Sequence, residues 1–408
     1  MESYSMSYIK FISCLVVVAL ISYAGWRTYN YFFLISVPTV DVVGIEPDKS
    51  YEGEITVTIK GHDDYKVARL SVAIDGKPVL SKVKIGKRNF EYPFKLDTKT
   101  LAQGQHMLDV ELENGAYNKR EVHQSVSFSI DNTPLQAAYV KNETDAKVLQ
   151  GRTLHIQFQV NKEIKEAKVK TLSKDYPCMR ESDRTLIYEC FVPIETEEVP
   201  QEYLFTIDIT DNVGNTRTLT GKFQVVAFAF KKQVIKIDSH KMTEENEAGS
   251  PEKKLEAEME ELTKKSPKQK LWHGAFITPI EIKDPKQITT DYGVIRATQE
   301  RGLRQHKALD VYTTPKSVVW SPQDGIIVLK SRYAHSGNTV AIDHGFGVIT
   351  LLFHLDSFAP IEIGDKIKKG NPIGTLGKTG YATGYHLHWE MRVNNVAIEP
   401  MEWTKVNF

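Results

Sequence analysis

The chain has little cysteine: three residues in 408, with none after Cys190. That scarcity excludes a disulfide-stapled scaffold and leaves any metal in the C-terminal half to histidine and carboxylate ligands. It also has no net charge, because 52 Lys and Arg offset 52 Asp and Glu. A nucleic-acid partner is therefore not expected, nor is long-range capture of an anionic polymer. The His-Glu-x-x-His pattern, which on a helix supplies two metal ligands and a glutamate base, is absent. Long apolar runs are confined to one place, Phe11 to Trp26, with aromatic and aliphatic character resuming after Arg27 as far as Val37.

A bilayer is crossed by about 20 apolar residues in a helix, and an arginine near the end of the span can reach the interface. Residues 1–37 are thus expected to be a cytoplasmic tip and single-pass membrane anchor, with the bulk of the chain extracytoplasmic. The alternative is a cleaved signal peptide, since Ser22-Tyr23-Ala24 is an acceptable small-x-small site. The long apolar continuation and weakly basic start favour retention of the anchor. Cys14 sits in the run without a lipobox, so lipidation is not expected.

Beyond the anchor, alternating runs such as Ile55-Thr56-Val57-Thr58-Ile59 and Ser125-Val126-Ser127-Phe128-Ser129-Ile130 point to β-structure. Two segments, 38–131 and 132–230, each have the size of an immunoglobulin-like sandwich, about 100 residues. Ile207 through Asn215 resembles a late hairpin of bacterial immunoglobulin-like domains, and Asp131-Asn132-Thr133-Pro134 resembles a linker between two such modules. Spacing or docking to envelope proteins is the role expected of them. Cys178 and Cys190 either form a disulfide in an oxidising compartment or remain reduced core thiols.

Residues 231–270 are rich in Glu and Lys and poor in aromatics, the composition of a solvated linker. Leu255, Met259 and Leu262 make a narrow helical stripe, with Glu260 to Lys264 and Glu261 to Lys265 at supportive i, i+4 spacing. The plain reading is a short exposed helix. The sharper one is a regulatory arm over a functional groove in the following domain, 271–408.

In that last domain His306-Lys307-Ala308-Leu309-Asp310 and Gly384-Tyr385-His386-Leu387-His388-Trp389-Glu390 offer a His-x-x-x-Asp pair and a His-x-His pair. A catalytic zinc takes three ligands from His, Asp or Glu and keeps one position open. Four candidates for three places leave one imidazole over. In a strand His386 and His388 would face the same way. The run after Leu309 is branched and aromatic and stops at Pro315, so Asp310 belongs to a short strand rather than to a helical pair with His306. A third element, Leu351-Leu352-Phe353-His354-Leu355, interrupts an apolar run with a single histidine. Such a residue is commonly a satisfied core group, but its company here favours function.

From roughly Trp272 to Trp403 these residues resemble the lysostaphin-type zinc metallopeptidases, the peptidoglycan endopeptidases that include the LytM-like enzymes. The resemblance extends to the turns Tyr292 to Arg296, Ser321 to Gly325, Asp343 to Gly347, Gly364 to Gly370 and Gly374 to Gly380. It implies one zinc per chain on His306, Asp310 and His388, with His354 and His386 as catalytic histidines. It implies peptidoglycan peptide stems as substrate. His386 is then expected to act as general base for the attacking water and His354 to steady the oxyanion or leaving group, and the two roles are interchangeable at this stage. Ala308 stands where these relatives usually have glycine, and Leu352-Phe353 stands where they often have Tyr-Ala or Tyr-Ser, which removes a tyrosine hydroxyl that could contact substrate. Relatives that have lost ligands activate amidases instead, whereas all five positions are filled here.

The branched runs Val318 to Trp320, Gly325 to Leu329, Thr339 to Ile342 and Val348 to Leu352 fit antiparallel sheets. The expected fold is therefore mainly β: a transmembrane helix, two immunoglobulin-like sandwiches, and an antiparallel peptidase domain with a zinc groove. The rivals are a catalytically idle amidase activator or wall-binding scaffold, and a lipoyl-like adaptor protein. The adaptor reading is suggested by the turns at Pro322 to Gly325 and Gly364 to Gly370. It needs a long helical hairpin, for which this sequence offers only a short candidate helix.

Overall fold

Strands dominate a computed structural model of the chain, which describes residues 2–33, 36–140, 146–234, 251–298 and 302–408. It contains two compact units, Met1–Pro134 and Leu135–Phe408.

The first unit begins with the helix Glu2–Phe33, and its stretch Phe11–Phe33 is long and apolar enough to cross a membrane. At the helix end Tyr31 and Phe32 meet Tyr117, and the Tyr117 amide donates to the Tyr31 carbonyl at 2.8 Å. The β-part is organised by a long hairpin, Glu54–Ile74 with Lys77–Asp97. Thr39–Val43 pairs with the first half of Glu54–Ile74 and Gly104–Asn114 with the second half of that same strand. All six strands of this unit join in one sheet, because register shifts between His62 and Val67 bend the long strands without breaking them. Val57, Ile59, Leu70, Val72, Leu108, Leu112 and Phe128 fill its core.

The second unit opens with two sheets. Lys174–Pro177, Ile164–Thr171, Glu202–Asp211, Thr216–Val226 and Ala146–Leu149 lie side by side in one, and Met179–Arg180, Ile187–Pro193, Thr153–Val160 and Ala137–Tyr139 in the other. Alternating residues from both, among them Ile156, Phe158, Val169, Ile207 and Phe223, share one core. Cys190 is buried in it with Cys178 at its edge, and both thiols are free.

This sandwich is fixed to the C-terminal domain through aromatic packing. Phe191 enters a cluster with Trp272, Phe276, Phe346 and Trp403. The Trp403 indole donates to Thr153 Oγ1 at 3.2 Å, and the Thr153 amide donates to a Glu402 carboxylate oxygen at 3.0 Å. Burial raises the Glu402 pKa from 4.5 to about 7. The folded state therefore favours protonated Glu402. As pH climbs from the unfolded value to the folded one, the unfolded chain ionises first and stability falls. Wild-type protein is expected to lose about 3 kcal/mol across that window through this group, and Glu402→Gln to lose none of it. Denaturant unfolding of both proteins at several pH values between about 4.5 and about 8 checks this, and equal slopes would refute it.

The C-terminal domain is built on an eight-stranded sheet in the order Ile288–Thr290, Leu309–Val311, Leu387–Val393, Val348–Leu355, Gly337–Asp343, Gly325–Tyr333, Lys366–Ile367, with Val396–Ile398 also on Leu387–Val393. Every pairing in it is antiparallel. One face packs Ile327, Val340, Ile342, Leu352, Leu387 and Trp389 against Val319, Ile373 and Leu376 from the region of a small three-stranded sheet. The opposite face carries Leu329, Ala341, Ile349, Leu351 and Phe353.

Residues 235–250 of the connector lie outside the described residues. Its helix, Pro251–Lys264, is not free in solvent: Leu255 and Met259 are buried on that second face, with Leu262 packed against them. The expected stripe is real, and its apolar partners are contributed by the sheet of the C-terminal domain.

Candidate metal centre

Register brings the metal-type residues together. Asp310, in the short strand Leu309–Val311, is directly opposite His388 in Leu387–Val393, and Phe353 is opposite His388 on the other side. His306 immediately precedes the Asp310 strand and reaches the same point. Donor atoms of His306, Asp310 and His388 all lie within 4.8 Å of one another. Asp310 Oδ1 is 3.1 Å from His306 Nε2 and 3.0 Å from His388 Nδ1, and the two nitrogens are 3.3 Å apart. Zinc bonds of about 2.0–2.1 Å place tetrahedral donors roughly 3.3 Å from each other, so this set has the size a zinc ion requires.

Each donor is held from behind. His306 Nδ1 donates to the Asp291 carbonyl at 3.2 Å, which turns Nε2 toward Asp310 Oδ1 at the centre. The second oxygen of Asp310 accepts from Arg296 at 3.0 Å. His388 stacks on Phe353 with centroids 4.8 Å apart and planes 6° apart, and its Nε2 faces Glu390 Oε2 at 3.7 Å. Phe353 thus supports the ring of a candidate ligand.

Electrostatics follow from crowding these groups in a buried place. Burial opposes charge on Asp310, but hydrogen bonds from His306 and His388 outweigh it and hold the carboxyl well below the ordinary range. Burial likewise opposes charge on His388, yet Asp310 and Glu390 raise it to about 9. His306 is lowered, chiefly by burial.

His354 and His386 stand beside this group, with ring centroids 4.8 Å apart. His354 Nδ1 donates to the Thr379 carbonyl at 2.8 Å and His386 Nδ1 to the Gly384 carbonyl at 3.0 Å, so each presents Nε2 as an acceptor. His386 Nε2 lies 3.9 Å from Asp310 Oδ1. Burial and the neighbouring imidazoles hold His354 well below its usual value. Its backbone is left-handed, with φ 62°, an uncommon conformation outside glycine that turns this residue out of the strand alternation. Gly337 supports the arrangement, because a Cβ there would collide with the Thr379 carbonyl that fixes His354.

All five positions singled out in the sequence therefore converge. Three supporting residues were not assigned roles from sequence: Arg296, Phe353 and Glu390. All three lie within the motifs described above, but their significance depends on distances between strands that no spacing rule contains.

A buried His/Asp cluster whose donor atoms face one point, beside two further imidazoles on an antiparallel sheet, is the donor set of a candidate metal centre. Residues 304–400 match Peptidase family M23, and the chain carries a domain of that family at its C-terminal end. Over 98 residues it is 38% identical to the DD-carboxypeptidase/endopeptidase Mpg of Neisseria meningitidis, covering 24% of this chain and 22% of that protein. Over 118 residues it is 31% identical to the peptidoglycan DD-endopeptidase ShyC of Vibrio cholerae, covering 29% and 27%. The matched part is thus less than a third of either relative. A peptidase M23 crystal structure from Pseudomonas aeruginosa aligns with 63% of this chain and 94% of its own, at 19% identity and a TM-score of 0.41.

Proposed function

We propose that the chain is a membrane-anchored zinc metalloendopeptidase that hydrolyses peptide cross-links of peptidoglycan on the extracytoplasmic side. The convergence of His306, Asp310 and His388 carries the reading, in a domain whose family relatives include named peptidoglycan endopeptidases. The apolar stretch Phe11–Phe33 is the proposed anchor, and segments 38–131 and 132–230 are proposed spacers that contact envelope partners.

His306, Asp310 and His388 would hold the ion, with two imidazoles and one carboxylate as donors. Zinc there supplies a lowered water pKa, about 7, and polarisation of a peptide carbonyl. The protein's own contribution is proton handling. Both His354 and His386 rest as acceptors at Nε2, so the pair supports removal of a proton from the attacking water and its return to the leaving amine. Burial keeps His354 in the accepting form at neutral pH. It can steady an oxyanion only after it has gained that proton.

Purified full-length chain in detergent, incubated with cross-linked muropeptides, is expected to yield products whose masses identify the scissile bond. A zinc chelator should suppress them and added zinc restore them. Intact muropeptides in zinc-loaded samples would overturn the enzymatic reading in favour of an idle, wall-binding or activator role.

A further inference from the structure

The connector helix reaches the candidate metal centre through a chain of charged groups. Glu256, one turn into the helix Pro251–Lys264, grips Arg392 with both carboxylate oxygens, at 2.7 Å to one terminal nitrogen and 2.8 Å to the other. Arg392 Nε donates to Glu390 Oε1 at 2.5 Å. The second oxygen of Glu390 faces His388 Nε2 at 3.7 Å, and Nδ1 of the same ring points at Asp310. His388, Glu390 and Arg392 alternate along one strand and so share one sheet face. Their partners across the ladder, Phe353, Leu351 and Ile349, carry the buried residues of the helix. Glu256 also lies 3.8 Å from Lys307, the neighbour of His306. The helix is therefore seated between the strand that bears His388 and the loop that bears His306.

We propose that Glu256 is a positioning residue for the metal centre, acting through Arg392 and Glu390 to fix the ring of His388. The inference rests on the reading of His388 as a ligand. Its physical basis is that the middle of the chain is dry: the Arg392 and Glu390 side chains are 3% and 4% exposed. A two-pronged carboxylate contact restrains a planar guanidinium in orientation as well as in place. Without it, the outer edge of Arg392 keeps, among the described residues, only Asn395 at 3.0 Å, and the guanidinium is free to turn. Glu390 follows Arg392, because a buried carboxylate does not part from its counter-charge. At 3.7 Å the contact between Glu390 and His388 is an ion-pair distance, longer than a hydrogen bond, so the ring feels where Glu390 is held. Outer groups that orient a ligating imidazole set metal affinity, and this outer group belongs to a segment whose composition looks like linker.

The test measures zinc affinity in full-length protein by competition with a chromophoric chelator. Glu256→Gln keeps the shape of the side chain and removes its charge, and is expected to weaken zinc binding about tenfold. Met259→Ala loosens the helix through packing alone and separates a docking effect from a positioning effect. Thermal melts of the metal-free proteins rank how far each variant loosens the fold. Positioning predicts that Glu256→Gln weakens zinc binding more than Met259→Ala does even where the latter costs more stability. It also predicts that adding Glu390→Gln to Glu256→Gln costs less than the sum of the two. Unchanged zinc affinity in Glu256→Gln, or losses that simply track the melts, would overturn the proposal. Failure of wild-type protein to bind zinc would instead overturn the functional reading beneath it.

Discussion

Replacing His388 with alanine is expected to abolish zinc binding and with it hydrolysis. The loss should exceed the roughly 10–100-fold decrease in affinity that follows an outer-shell change, because a donor itself is removed. His388 is also the hub of the site. Its Nδ1 meets both Asp310, at 3.0 Å, and His306, at 3.3 Å, while its ring lies flat against Phe353. Without it Asp310 still has His306 and Arg296, so the buried carboxylate keeps partners and the sheet is expected to fold. Metal analysis after dialysis should find about one zinc per wild-type chain and none per variant chain, since three donors make a catalytic zinc site and two do not suffice. A His388→Ala protein that retains stoichiometric zinc would remove this residue from the ligand set.

The second large effect separates binding from chemistry. His354→Ala and His386→Ala should leave zinc bound and lower kcat by about 10²–10⁴-fold each, the usual contribution of a positioned acid or base. Neither ring contributes to the donor group of His306, Asp310 and His388. Each is instead tethered at Nδ1 to a carbonyl, with Nε2 left for proton transfer. If the two act as a unit, the double variant will be little worse than the poorer single one. Full cleavage of muropeptides by the double variant, at wild-type zinc content, would end the assignment of catalytic roles to these histidines.

Much of the site was legible because its chemistry is local in sequence. Two histidines one residue apart in a β-type run share a face, and an aspartate in a strand cannot be a helical partner of the histidine before it. A histidine isolated in Leu351 to Leu355 was visible as an oddity, although nothing in the run reveals the left-handed φ of 62° that turns it toward His386. The support behind the donors was not legible. Arg296 and Asp310 are joined at 3.0 Å between strands of two different sheets, a contact that only the tertiary fold makes.

The connector shows the same limit more sharply. Its Glu and Lys content describes a solvated segment, and most of the charges among its described residues are exposed. Leu255 and Met259 gave the helical period but not the surface they would cover. That surface exists only once Ile349, Leu351 and Phe353 have been brought to one face by pairing with Leu387–Val393.

By itself the sequence determined the identities that chemistry requires: a cysteine-free set of histidines and an aspartate, one apolar span at the N-terminus, and β-type runs in between. Those follow from side-chain type and from periods of two or four residues. The tertiary structure alone decided which of those residues touch, that Glu256 meets Arg392, and that the sandwich containing Phe191 is fixed to the peptidase domain through Trp272 and Trp403. Strand register and cross-strand distance are set by burial over the entire sheet, so contacts of this kind cannot be read from any short window of the chain.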